Sequence, residues 1–213
     1  MSIFQWGWMD EFTNLAKQHK NSLIQEIFID NCYEQVRGVK AGDVVLDIGA
    51  SIGPFTYSIL HKNPKQVICV EPSHLEHETL KANVGKDNVA IVEKAIGPVD
   101  GTITINEVFG ANGQMMEIPS IRFDTMIKEN NIERINFLKT DCEGGEYDIF
   151  NVENLFWIKD NVDFIVGEWH LNTPQTKEKF RKFRDLYLKL FPNHQVYALD
   201  GTDIKWNLWN ERF

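Results

Sequence analysis

Short apolar runs alternate with amphipathic stretches along most of the chain. Five of these runs have the length and near-continuous hydrophobicity of strands that are buried on both faces of a parallel sheet. The predicted strands are DVVLDIG (43–49), QVICVEP (66–72), NVAIVEKAIG (88–97), INFLKTD (135–141) and VDFIVGEWH (162–170). Because strands that alternate with helices pair in parallel, the pattern predicts a doubly wound α/β fold.

The remaining segments supply the helices and the edges of this fold. Helical spacing predicts a mainly helical segment over residues 1–40 and helices over 54–61, 75–84, 121–130, 146–152 and 176–190. TITINEV (102–108) alternates like a strand, GANGQMM (110–116) is typical of a loop, and two alternating runs around Asp200-Gly201 indicate a terminal hairpin. We therefore expect a mostly parallel seven-stranded sheet with a C-terminal antiparallel hairpin. A single domain over 41–213 would carry the helical segment 1–40 packed on its core.

Composition restricts the partners of the chain. The net charge of −9 disfavours a nucleic-acid partner, because proteins that bind phosphate backbones rely on positive charge. No apolar run approaches the ~18 residues of a membrane span, and the N-terminus lacks the pattern of a signal peptide. The three widely spaced cysteines, Cys32, Cys69 and Cys142, indicate reduced thiols and hence a cytoplasmic location.

The turn after the first predicted strand is a candidate binding element. Gly49 and Gly53 allow either a close approach of the backbone to a ligand or simply a tight strand-to-helix connection. A dinucleotide-binding fingerprint starting at Gly49 would need glycine at two positions where the chain has Ser51 and Pro54. The turn therefore does not provide for a pyrophosphate, and a cofactor with an amino-acid tail and a sulfonium fits it better.

Acidic side chains end the first two predicted strands. Asp47 can face the cationic end of such a cofactor, or it can cap the adjacent turn. Glu71 can accept hydrogen bonds from both hydroxyls of a ribose. This feature is shared by NAD and adenosyl cofactors, so it does not distinguish between them.

Several segments, in this order, resemble the FkbM-type methyltransferases. They are VVLDIGASIGPFTYSI, VICVEPS, NVAIVEKAIGPVDG, SIRFDTMI, INFLKTDCEGGEYDIF and FIVGEWH, and the most specific piece is KTDCEGGE (139–146), which is similar to that family's K-x-D-x-E-G-x-E signature. The resemblance implies the Rossmann-like class I methyltransferase fold and S-adenosylmethionine as cofactor. It also implies that the methyl acceptor is a hydroxyl group on a sugar, a glycan or a small natural product. The cofactor-binding positions that it implies are Asp47, Gly49, Ala50, Ser51, Gly53 and Glu71, with Ser73, Lys94 and Ala95 near the ribose and adenine.

A hydroxyl acceptor must lose a proton as it attacks, so such a site needs a general base. His170 is our first prediction for this base because histidine exchanges protons near neutral pH, although it could equally hydrogen-bond a loop. Asp141, which ends the fourth predicted strand, is the second candidate and could instead contact the amine of the cofactor. Glu146 is a further catalytic candidate, and we expect Glu143, Glu146 and Glu168 to bind the acceptor.

Other interpretations of the same residues remain open. The acidic cluster could hold a divalent metal ion through oxygen ligands, but carboxylates that serve helix N-termini explain it as well, and no metal site is predicted. An NAD(P)-dependent oxidoreductase or epimerase is opposed by the glycine spacing and by the terminal hairpin. A non-catalytic scaffold is opposed by the intact glycine turn.

Overall fold

The computed structural model describes residues 25–106, 115–171, 173–190, 196–199 and 206–207. The described strands are β1 (Val44–Ile48), β2 (Gln66–Val70), β3 (Val89–Val92), β4 (Ala95–Ile96), β5 (Gly101–Asn106), β6 (Met115–Ile121), β7 (Phe137–Thr140), β8 (Ile165–Glu168), β9 (Val196–Leu199) and β10 (Trp206–Asn207). The described helices are α1 (Pro54–Leu60), α2 (His74–Val84), α3 (Phe123–Glu129), α4 (Glu146–Ile149), α5 (Val152–Asn161) and α6 (Pro174–Leu190), and a π-helical segment, Gln25–Ile29, precedes them. None of the helices within these ranges is long and apolar enough to cross a membrane.

The main sheet has seven strands in the order β10-β9-β8-β7-β1-β2-β3. Neighbouring strands pair in parallel except at the β9–β10 edge, where β10 runs antiparallel to β9. The predicted sheet and its C-terminal antiparallel hairpin are therefore confirmed. Within the hairpin Trp206 pairs with Ala198, and Asn207 pairs with Tyr197. The turn predicted at Asp200-Gly201 lies outside the described ranges.

The two faces of this sheet are covered by separate layers of apolar side chains. On one face Leu46, Ile68 and Leu138 pack with residues of α3, α5 and α6. On the other face Val45, Val67, Cys69 and Phe137 pack with α1, α2 and the segment before β1. Side chains alternate between the faces along each strand, so every second residue of β1, β2 and β7 belongs to the same layer. Cys69 is fully buried in the second layer.

The region after β2 differs from the prediction in two ways. The predicted third strand is split into β3 and β4, and β4 joins a second sheet with the order β4-β6-β5. Strand β6 was missed because Pro119 lies within it, and proline disrupts a strand that is paired on both sides. Here β4 pairs only with Ser120 and Ile121, so Pro119 has a paired strand on one side only. The predicted loop 110–116 ends with two residues of β6, and its first five lie outside the described ranges.

Two helical predictions also need correction. Within the described part of the N-terminal segment only Gln25–Ile29 is helical, and residues 32–37 form turns and bends. Asn31 has a φ of 50°, a left-handed conformation that does not continue a right-handed helix. The predicted short helix 146–152 ends at Ile149, and α5 begins after Asn151, whose side chain accepts a hydrogen bond from the Asn154 N–H.

Candidate active site

The candidate site lies at the carboxyl ends of the central strands. From β1 the chain proceeds to β2 and β3 on one side of the sheet and to β7 and β8 on the other, which makes the end of β1 a topological switch point. Open α/β sheets bind their ligands at such a point. The loops after β1 and β7 meet there, because a Cβ built on Gly49 would lie 1.7 Å from the Asp141 carbonyl oxygen.

The turn after β1 has an unusual backbone conformation. Gly49, Ser51 and Gly53 all have positive φ, at 75°, 49° and 86°. The N–H groups of Gly49 and Ala50 both donate to the Val70 carbonyl, at 2.9 and 3.1 Å. A side chain at Gly53 would lie 2.7 Å from Val84, so the absence of one lets the turn pack against α2. The turn is therefore a closely packed, fixed structure.

Glu71 supports this turn from the end of β2. Its Oε2 accepts a hydrogen bond from the Ser51 N–H at 2.8 Å, and its Oε1 accepts one from the Ser73 N–H at 2.8 Å. Burial raises the pKa of Glu71, and the two backbone donors act in the opposite direction. Each carboxylate oxygen can accept more than one hydrogen bond, so capacity for ribose hydroxyls remains. Three predicted cofactor-binding residues, Ser51, Glu71 and Ser73, are therefore brought together.

Asp47 does not face the ligand side of the turn. Its side chain is fully buried. Its Oδ2 accepts a 2.7 Å hydrogen bond from Thr56, and its Oδ1 lies 3.1 Å from Lys139 Nζ in an ion pair. The predicted contact between this carboxylate and the cofactor is thus corrected: Asp47 belongs to the buried layer on which α1 packs.

Lys94 and Ala95 lie where the chain changes sheets. Ala95 begins β4 and pairs with Ser120, and Lys94 forms a 3.8 Å ion pair with Glu129. The contacts of these residues neither support nor oppose the predicted position near adenine, which stays a prediction.

Carboxylates surround His170 on the opposite side of the switch point. Its Nδ1 is 3.0 Å from Glu146 Oε1, and its Nε2 is 3.2 Å from Glu143 Oε2 and 3.8 Å from Asp141 Oδ1. Burial alone would lower the pKa of His170, but the hydrogen bonds to Glu143 and Glu146 raise it to about 11. In this geometry the ring is an imidazolium at neutral pH, so the role of free base predicted for His170 would require it first to lose a proton.

Glu146 and Glu168 differ in their environments. Glu146 is fully buried, and its Oε1 also accepts a hydrogen bond from the Cys142 N–H, so the predicted direct contact with an acceptor is corrected to an internal role. Glu168 ends β8 and is half-buried. Burial and the nearby Asp141 raise its pKa to about 7. A carboxyl group that titrates near 7 is suited to exchange protons with a substrate.

One combination of these side chains has the spacing of metal ligands. An oxygen of Asp141, an oxygen of Glu168 and a ring nitrogen of His170 all lie within 4.8 Å of one another. The ring nitrogens of His170 already contact carboxylates, so binding of an ion through the ring would have to displace at least one of these contacts.

Sequence reasoning missed two side chains that reach this site from the segment before β1. The hydroxyl of Tyr33 donates a 2.8 Å hydrogen bond to Asp141 Oδ2, and its ring lies 5.3 Å from Lys139 Nζ. Glu26 is close enough to Asp141 for the two charges to interact, and burial together with this repulsion raises the pKa of Glu26. No local pattern marks either residue, because both contacts join parts of the chain that are distant in sequence.

Cys142 is not a nucleophile in this environment. Burial and the charge of Glu146 raise the pKa of its thiol well above the ordinary value, so the reactive thiolate is disfavoured.

Comparison with known proteins is consistent with this geometry. The methyltransferase FkbM domain family matches residues 47–197, which is more than half of the chain. Methyltransferase 1 of Beauveria bassiana (strain ARSEF 2860) is 25% identical over 188 residues, covering 72% of this chain and 74% of the relative.

Solved structures similar to this chain include two proteins with low sequence identity. Precorrin-6y C5,15-methyltransferase from Geobacter metallireducens has a TM-score of 0.43 and 15% identity, covering 93% of this chain and 88% of that one. The fibrillarin pre-rRNA processing protein of Methanococcus jannaschii has a TM-score of 0.41 and 14% identity, covering 71% and 57%. The family match carries the assignment: this chain is a methyltransferase that belongs to the FkbM family.

Proposed function

We propose that this methyltransferase uses S-adenosylmethionine to methylate a hydroxyl group of a small molecule or a glycan. One observation carries the proposal. The switch point separates a glycine turn supported by Glu71 from a cluster of Asp141, Glu168 and His170. The first half fits an adenosyl cofactor, and the second offers proton-accepting groups beside it.

The residues present fit the cofactor. Gly49, Ala50, Ser51 and Gly53 would surround its amino-acid end, while Glu71 and Ser73 would face the ribose, with Lys94 and Ala95 proposed near adenine. When bound, S-adenosylmethionine supplies an already activated methyl group. The Ser51 and Pro54 positions, which lack the glycines of a dinucleotide fingerprint, favour this cofactor over NAD.

Glu168 is the group best suited to take the proton of an acceptor hydroxyl. Its raised pKa leaves it partly ionised at neutral pH, whereas His170 is held in the protonated form. We therefore place the base role on Glu168. His170 and Asp141 orient the acceptor, and the imidazolium stabilises the negative charge that develops as the proton leaves. General-base catalysis of this kind contributes about 10²–10⁴-fold.

The acceptor class rests on charge and on family. The acidic chain and the carboxylates at the site would repel the phosphates of a nucleic acid. A sugar or a hydroxylated metabolite offers donors that these carboxylates can accept. A cytoplasmic location remains a proposal that the widely spaced cysteines support.

The test is methyl transfer from S-adenosylmethionine with a labelled methyl group to a panel of sugars, hydroxylated metabolites, amines and RNA. We expect label in hydroxyl acceptors, and a loss of about 10²-fold or more in Glu168→Gln. The mostly exposed Glu78 provides the control, Glu78→Gln. Label confined to amines or RNA would contradict the proposed acceptor class, and full activity in Glu168→Gln would contradict the base.

A further inference from the structure

A buried lysine joins the cofactor turn to the neighbouring strand. Lys139 lies in β7 opposite Asp47 of β1, and the exposed fractions of the two side chains are 4% and 0%. Its Nζ donates a 2.7 Å hydrogen bond to the Gly49 carbonyl and lies 3.1 Å from Asp47 Oδ1. The ring of Tyr33 covers the ammonium from another direction.

This environment keeps the lysine charged and fixed. An ammonium group has three donors and is strongly destabilised by burial unless its charge and its donors are satisfied. Burial alone would lower the pKa of Lys139, but Asp47 and Asp141 raise it above the ordinary value. The cation therefore persists at neutral pH, and the Gly49 carbonyl has a charged donor.

The turn is then held at consecutive residues. Its N–H groups at Gly49 and Ala50 bind the Val70 carbonyl, and the Ser51 N–H binds Glu71. The Gly49 carbonyl points the other way and binds Lys139. Without this last contact the carbonyl would lose its charged partner, and the peptide unit after Gly49 could rotate.

We propose that Lys139 is a positioning residue for the cofactor, which acts by fixing the Gly49 carbonyl so that the turn keeps its ligand-binding conformation. The inference rests on the proposed function, since it requires that this turn bind S-adenosylmethionine. It goes beyond that function by giving the buried Lys139–Asp47 pair a role in affinity as well as in stability.

The experiment measures binding of S-adenosylhomocysteine by calorimetry together with the Tm. Lys139→Met removes the donor but leaves Asp47 as an unpaired buried charge, so the double variant Asp47→Asn/Lys139→Met separates the two effects. Lys62→Met is the control, because it also removes a lysine that is paired with a carboxylate, that of Glu34. Lys62 lies in the loop before β2, at the amino ends of the strands and away from the proposed site.

We expect the double variant to regain most of the Tm lost in Lys139→Met while its affinity stays roughly 10- to 100-fold weaker than that of the wild type. Lys62→Met should bind as tightly as the wild type. If the double variant binds like the wild type, Lys139 only neutralises Asp47 and the inference is overturned. If the double variant does not fold, Asp47→Asn/Lys139→Leu, which also removes the donor to the Gly49 carbonyl, replaces it with the same criteria.

Failure of the wild-type protein to bind S-adenosylhomocysteine would contradict the proposed function itself. If Lys139→Met binds S-adenosylhomocysteine as tightly as the wild type does, the positioning role is rejected and the proposed function is retained.

Discussion

Gly49→Ala tests how closely the turn after β1 approaches the start of the loop after β7. The added methyl group would lie 1.7 Å from the Asp141 carbonyl oxygen and 2.6 Å from its carbonyl carbon. An ordinary carbon–oxygen contact is about 3.3 Å or longer, so the two backbones would have to separate by roughly 1.6 Å. Both contacted atoms belong to the main chain, so a rotamer change cannot relieve the clash.

Gly42→Ala provides a matched control for this substitution. Gly42 has a φ of 85°, close to the 75° of Gly49, but a Cβ built on it has no atom within 4 Å. It therefore measures the backbone strain alone, about 1–2 kcal/mol for an L-residue in the left-handed region. Overpacking adds about 1–3 kcal/mol. The free energy of unfolding should therefore fall by about 2–5 kcal/mol in Gly49→Ala.

Urea unfolding of both variants gives the stability difference, and calorimetry gives the affinity for S-adenosylhomocysteine. We expect Gly49→Ala to lose affinity by about 10-fold or more, because displacement of the turn also moves Asp141. Gly42→Ala should bind S-adenosylhomocysteine as tightly as the wild type does, since Gly42 precedes β1 and lies at the amino ends of the strands. Equal stability losses in the two variants, with wild-type binding in both, would refute the close approach of the two loops.

Three further predictions follow from individual side chains. Glu71→Ala should weaken S-adenosylhomocysteine binding by about 10-fold or more, because it removes the acceptor of two backbone N–H groups. Glu78→Ala, at an exposed position, should bind as the wild type does. Equal affinities of the two variants would contradict the role of Glu71 in cofactor binding. Tyr33→Phe keeps the ring against Phe55 but removes the hydroxyl that donates to Asp141. Turnover should therefore fall about 10-fold with cofactor affinity unchanged. Turnover at the wild-type rate would show that this hydrogen bond is dispensable. Turnover should rise with pH through about 7, because the raised pKa of Glu168 shifts formation of its carboxylate to that pH. A flat pH profile would exclude Glu168 as the base.

The central sheet was predictable because its strands are buried on both faces. Such strands require near-continuous apolar runs. These runs remain recognisable even if the predicted ends of a strand are wrong by one residue. Strands β4 and β6 belong to a smaller sheet in which β4 forms only two residue pairs and β6 contains Pro119. Their formation depends on neighbours that no local pattern specifies.

The positions of Gly49, Gly53 and Glu71 at the switch point were also predictable, since Gly49 and Glu71 directly follow buried strands and Gly53 lies in the turn after the first of them. The pairing of Lys139 with Asp47 is also visible in the sequence. Asp47 and Lys139 are opposite charges in otherwise apolar strands that become neighbours at the same register. A buried charge of either sign requires a partner, so each predicts the other.

The acceptor side was less predictable because its chemistry depends on distances between side chains. His170 was a reasonable base on residue type alone, and its contacts with Glu143 and Glu146 are what change its protonation. Tyr33 reaches Asp141 across 108 residues of sequence, a contact that only the folded chain reveals.

The most direct test of the central claim is calorimetric titration of the purified wild-type protein with S-adenosylmethionine, S-adenosylhomocysteine and NAD, each separately. A methyltransferase with this turn and Glu71 should bind the first two saturably and should not bind NAD. Saturable binding of NAD, with neither adenosyl ligand bound, would contradict the proposed cofactor and the function built on it.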